Sequence, residues 1–144
     1  NYADEKTWSV RCDIAFPGAT QNEINENDAR MLIGHGCQVV CEGSNMPTTF
    51  DGIKIFESAG IMHAPSKAAN AGGVAVSGLE MSQNSLGLTW SREEIDERLR
   101  VIMRRIHEQC VKHGKKNGQI DYFMGANIAG FVKVADVMLA YGIV

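Results

Sequence analysis

Apolar positions between residues 10 and 64 fall in three short runs separated by two longer mixed stretches. Val10, Cys12, Ile14 and Phe16 alternate with Arg11, Asp13 and Ala15, the period-two pattern of a strand, and Pro17-Gly18 stops it. Thr20 followed by Glu23 offers a capping box, although the polar run 21–28 puts the regular helix later, ending near Gly34 or Gly36. Residues 37–42 form a short, largely apolar run closed by Gly43, as expected of a strand covered on both faces. Pro47, Thr48 and Thr49 open a second helix that passes through Ile53 and Phe56 to about Ala59; Gly60 ends it, and residues 61–64 give a third strand. Strands recurring at this spacing with helices between them are the signature of an α/β fold with a parallel, doubly wound sheet.

Beyond residue 64 the pattern changes. Residues 68–78 are small, so the chain can approach another group closely, and residues 79–85 continue as a helical run. Ser91 with Glu94 makes a capping box, Trp90 and Ile95 form a hydrophobic staple, and Ile95, Leu99, Ile102, Met103, Ile106 and Cys110 share one face of a long amphipathic helix. Arg92, Glu93, Glu97, Arg100, Arg104 and Arg105 occupy its other face, read as a solvated surface rather than a basic binding patch. Gly114 ends this helix and Lys115-Lys116-Asn117-Gly118 reads as a turn. Residues 126–140 are apolar nearly all round, which predicts a buried helix. That run is well under the ~20 apolar residues of a membrane span and needs cover from another domain or element.

With 144 residues, 44% of them hydrophobic, the chain can bury one core but falls short of a complete two-domain enzyme. A formal net charge of -3 gives no reason to expect nucleic acid or an anionic membrane as partner. Cys12, Cys37, Cys41 and Cys110 show no CxxC pairing, which argues against a disulfide framework and a standard zinc module and fits a reducing, cytoplasmic setting. His35 with Cys37 and Cys41 lacks an obvious fourth ligand, and no HExxH occurs, so no metal is expected. Residues 1–6 carry Asp4 and Glu5 and no apolar run; the start reads like a cut through a longer chain.

Ligands of doubly wound sheets bind beyond the carboxyl ends of the strands. The three exits here are residues 17–22, 42–47 and 64–73, each combining small residues with at least one carboxamide. An amide carries a donor and an acceptor together, so Asn45 and Asn70 could complement the carboxamide or ribose hydroxyls of a nicotinamide cofactor; equally, each could merely shape a turn. Gly72-Gly73-Val74 leads into a helix whose N-terminus could meet a carboxylate, with Ser77 one turn in and Val74 as an apolar wall, or these small residues could serve helix packing. Lys67 invites a catalytic reading, but the sequence pattern names no group to activate it, which favours a structural or surface role. No GxGxxG is present, so a pyrophosphate-binding turn is absent or upstream.

At these exits, and from Trp8 to Val144, the chain resembles the C-terminal part of the small hexameric glutamate dehydrogenases of the Glu/Leu/Phe/Val dehydrogenase family. The stretches that carry the resemblance are Cys12-Asp13-Ile14-Ala15-Phe16-Pro17, Ala19-Thr20-Gln21-Asn22-Glu23 and Glu42-Gly43-Ser44-Asn45-Met46-Pro47-Thr48-Thr49. Further on stand Ala68-Ala69-Asn70-Ala71-Gly72-Gly73-Val74, Ser77-Gly78-Leu79-Glu80-Met81 and Gly125-Ala126-Asn127-Ile128-Ala129-Gly130-Phe131. The resemblance implies that residues 1–78 are the distal half of a Rossmann-like cofactor domain, and that residues 79–144 are C-terminal helices joining it to a substrate domain.

It further implies reversible oxidative deamination of L-glutamate to 2-oxoglutarate and ammonia, with NADP or NAD as hydride acceptor, in a homohexamer with neither nucleic acid nor membrane as partner. Carried over by position, Asn45 and Asn70 lie beside the nicotinamide, Ala19, Thr20 and Gln21 line the cofactor cleft, and Val74 and Ser77 contact the glutamate side chain. Gly18, Ser44 and Ser66 depart from the family's usual residues, each a small-for-small change. The family's catalytic lysine and aspartate would lie upstream, so this stretch alone should be catalytically inactive. A non-catalytic nucleotide-binding or oligomer-forming module is the alternative, and a purely structural domain a third reading.

Overall fold

The computed structural model describes residues 6–116 and 118–142, which divide into two compact units on either side of the Asn70–Ala71 junction. In the first unit β1 (Ile14–Ala15), β2 (Val39–Cys41) and β3 (Met62–Ala64) pair in parallel in the order β1-β2-β3. The crossovers are α1 (Glu26–Gly34) and α2 (Phe50–Ser58), which pack on one another. Register sets Ile14 against Val39 and Val40 against His63. Because side chains alternate along a strand, Ala15, Val40 and His63 are buried on one side while Ile14, Phe16 and Met62 are exposed on the other. The α/β alternation expected from sequence is therefore present.

The core of this unit consists of Ile24, Leu32, Val40 and Phe56, all fully buried, with Ala15, Ala29 and Cys37. Each large member contributes roughly 1.5–3 kcal/mol by leaving water. The first strand is shorter than the alternation from Val10 suggests, since Asp13 O already accepts from Gln38 N and Val39 N and Val10 is exposed. Cover of the 37–42 run is complete on one face only, Val39 and Cys41 remaining half-buried.

The Thr20/Glu23 pair does not start α1. Glu23 Oε1 does accept from the N–H of Ala19 and of Thr20, but the helix begins after Asn25, whose side chain accepts from Asn27 N and Asp28 N. Asp28 reciprocates by accepting from Asn25 N at 2.9 Å, and its buried carboxylate also pairs with Lys6. This second box wins because it sits immediately ahead of the buried Ala29 and Leu32. Thr49 caps α2 by accepting from Gly52 N, and the four-residue α3 (Ser66–Ala69) follows β3 directly.

The second unit is built from α4 (Ala71–Leu86), α5 (Arg92–Gly114) and α6 (Tyr122–Tyr141). The Ser91/Glu94 box forms as expected, Glu94 N donating to Ser91 Oγ at 3.2 Å and Ser91 N to Glu94 Oε2 at 2.8 Å. The predicted apolar face of α5 is half-buried to buried and its charged face is exposed, with Arg100 paired to Asp96 at 2.8 Å. Gly72 of α4 lies against Leu99 and Met103 of α5, where a Cβ would come within 3.6 Å of each.

Lys115 and Lys116 are not turn residues but a strand, β4 (Lys115–Lys116), paired antiparallel with β5 (Gln119–Ile120); Gly118 turns the hairpin at φ 83°, and Asn117 lies outside the described residues. The terminal helix is longer than residues 126–140 and is not buried. It starts at Tyr122, where Asp121 accepts from Met124 N, and its 20 residues span about 30 Å. By length and composition alone it could cross a membrane, a test that core helices also pass. Only Gly125 is fully buried, and Phe131 is 73% exposed, because α5 covers a single stripe of a helix that is apolar all round.

Candidate functional site

The exits of the three parallel strands are bound to one another by backbone. Pro17 O, beyond β1, accepts from Gly43 N at 2.8 Å and Ser44 N at 3.1 Å, beyond β2. A Cβ at residue 43 would lie 3.4 Å from that carbonyl, in ordinary contact with it. Asn22 N donates to Met46 O at 3.0 Å and Ile24 N to Pro47 O at 2.9 Å, extending the seam. Asn22 and Met46 both hold positive φ, 55° and 46°. For methionine that backbone costs on the order of 1–2 kcal/mol, so the bonds around it hold a strained loop in place.

The third exit joins through the two candidate amides. Asn70, which caps the C-terminus of α3, donates from Nδ2 to Asn45 Oδ1 at 2.8 Å and to Ser44 O at 3.2 Å. This arrangement consumes the Asn70 donor group and the Asn45 acceptor. The Asn45 amino group and the Asn70 carbonyl take no part in this contact and offer a donor and an acceptor to a ligand of complementary polarity. Ala19, Thr20 and Gln21 are exposed on the first exit loop, where Glu23 Oε1 accepts from the backbone of Ala19 and Thr20.

Beneath the amides lies a buried polar cluster that residue pattern alone did not single out. Glu42, the last residue before the second exit loop, accepts from Ser66 N at Oε2 (2.7 Å), and its Oε1 lies 3.0 Å from His63 Nε2. Glu42, Thr48, His63 and Ser66 are all buried. Ser66 in turn accepts from Met46 N at 3.2 Å through its hydroxyl. Burial pushes the Glu42 carboxyl up, but the neighbouring His63 and Thr48 side chains and the Ser66 N–H outweigh it and hold the group below its ordinary value. The available signal was a carboxylate closing an otherwise apolar strand run.

Val74 and Ser77 belong to the second unit, on α4, three residues apart and both exposed. The helix already begins at Ala71, so Gly72 and Gly73 lie within its first turn. Of the two glycines, Gly72 faces α5 and Gly73 faces open space, so the packing reading accounts for the first alone. Lys67 is exposed within α3. Among the described residues no group of three or more His, Cys, Asp or Glu could hold a metal ion.

The sequence model of the Glutamate/Leucine/Phenylalanine/Valine dehydrogenase family matches residues 1–142. The chain belongs to this family. It is 56% identical over 140 residues to a glutamate dehydrogenase of Bacteroides thetaiotaomicron, across 96% of this chain and 32% of that protein. With the NADP-specific glutamate dehydrogenase of Escherichia coli it shares 54% identity, across 97% of this chain and 31% of the relative. Among solved structures, Plasmodium falciparum glutamate dehydrogenase superposes with a TM-score of 0.91 at 50% identity, covering 96% of this chain and 30% of that one. The chain thus spans about a third of the length of the dehydrogenases it matches.

Proposed function

We propose that this chain forms part of a glutamate dehydrogenase that converts L-glutamate reversibly to 2-oxoglutarate and ammonia, using NADP or NAD. The observation that carries the reading is the Asn45–Asn70 contact at the strand exits, in a family whose similar members are glutamate dehydrogenases. The donor and acceptor left by that contact match the amide of a nicotinamide ring. The cofactor, when bound, supplies the hydride acceptor. This chain's own residues bind and orient it: Asn45 and Asn70 address the amide end, and Ala19, Thr20 and Gln21 line the cleft.

In this reading residues 1–78 are the distal half of the Rossmann-like domain and residues 79–144 its C-terminal helices. Val74 offers an apolar wall and Ser77 a hydroxyl to the glutamate side chain. The chain by itself holds no complete catalytic set and is inactive alone; the full-length protein works as a homohexamer in the cytoplasm. Turnover of glutamate by that protein, followed through the absorbance of the reduced nicotinamide, tests the reading. Asn70→Ala should raise the KM for cofactor and Ser77→Ala the KM for glutamate, each about tenfold or more. Cofactor binding without turnover would support a non-catalytic nucleotide module instead, and no cofactor binding a structural domain.

A further inference from the structure

A buried carboxylate is costly unless its oxygens are well satisfied, and an apolar residue at the same place commonly gives equal or greater stability. Glu42 nevertheless closes β2 from a position that is 3% exposed. Its two oxygens reach two separate segments. Oε2 accepts from Ser66 N at the start of α3, and Oε1 faces His63 Nε2 on β3 at 3.0 Å. Both loops that bear the amides therefore hang from one anchor. On one side the loop 43–47 starts at Glu42 and is held, through Met46 N, at Ser66 Oγ. On the other, Asn70 N donates to Ser66 O at 2.9 Å, so the four-residue helix transmits the position of Ser66 to Asn70.

We propose that Glu42 and His63 are positioning residues that fix the distance and orientation of the Asn45–Asn70 amide pair. Neither touches the ligand. Their role rests on the reading of that pair as a nicotinamide contact, and it adds residues which act only through Asn45 and Asn70. The carboxylate is the shared fixed point, and His63 sets its Oε1 while Ser66 N–H takes Oε2.

The test is a double-mutant cycle in the full-length protein, read as the Kd of reduced cofactor from nicotinamide fluorescence in the folded fraction and as the KM for each substrate. Glu42→Gln keeps the shape of the side chain and removes its charge. It should weaken cofactor binding about tenfold with the glutamate KM unchanged, and Glu42→Gln combined with Asn70→Ala should bind no more weakly than Asn70→Ala alone. His63→Gln should show the same cofactor effect and the same lack of additivity. Multiplying effects, or unchanged affinity in Glu42→Gln beside a weakened Asn70→Ala, would overturn the proposal while leaving the cofactor reading intact. Unchanged affinity in Asn70→Ala would overturn both. Failure of Glu42→Gln and His63→Gln alike to fold would assign the pair to stability rather than positioning.

Discussion

Gly114 of α5 and Gly125 of α6 meet backbone to backbone: a Cβ on Gly125 would lie 3.0 Å from Gly114 N, and one on Gly114 would lie 3.2 Å from Gly125 Cα. The same added atoms would run into the carbonyls of Cys110 and Asp121, so neither can be absorbed by a flexible side chain. The crossing is pinned on both sides of the hairpin, which Asp121 N closes by donating to Gly114 O at 2.9 Å.

Gly125→Ala should accordingly force the two helices apart. Overpacking of this kind costs typically about 1–3 kcal/mol, and backbone rather than side chain blocks relaxation here. A urea melt should show a lowered midpoint for Gly125→Ala and for Gly114→Ala, whereas Gly130→Ala, which meets nothing within 4 Å, should not be destabilised by packing. Equal midpoints for Gly125→Ala and Gly130→Ala would contradict the crossing.

How far the fold could be read beforehand follows from where its signals were local. Ser91 and Glu94 announce α5 because a capping box is complete within four residues and the apolar stripe begins at once. Thr20 and Glu23 imitate that signal, and Glu23 even reaches back to the Thr20 N–H, yet burial of Ala29 and Leu32 selects the box at Asn25 and Asp28. The exposure of α6 was not legible: composition records that Phe131 and Leu139 are apolar, not which neighbour covers them. Within the candidate site, Asn45 and Asn70 could be named from their loops. Glu42 and His63 could not, since their importance lies in pairing across strands 21 residues apart, at a register sequence does not print.

Stability should depend on pH through Glu42. Its folded-state pKa lies below the ordinary carboxylate value, about 4.3 in an unfolded chain, so the unfolded state binds more protons in that window. The contribution is complete above the unfolded pKa and is lost as pH falls through the folded one. The melting temperature of Glu42→Gln should therefore fall less steeply than that of the unsubstituted protein between about pH 5 and pH 3. Parallel curves would show that the carboxylate is not held by its partners.

Burial raises the thiol pKa of Cys37, with the neighbouring Cys12 adding to the effect; it also raises those of Cys41, beside Glu42, and of Cys110. Thiolate is the reacting species, so alkylation of the native protein near neutral pH should leave Cys37 and Cys110, both buried, essentially unmodified until denaturant is added. Peptide mapping after iodoacetamide checks this; rapid native labelling of Cys37 would place it outside the core.

The most direct measurement is a crystal structure of the full-length protein with its nicotinamide cofactor bound. The nicotinamide amide should lie within hydrogen-bonding distance of Asn45 and Asn70, with the Asn70 Nδ2 to Asn45 Oδ1 bond of 2.8 Å retained. A cofactor bound elsewhere, with both amides facing solvent or protein, would contradict this placement.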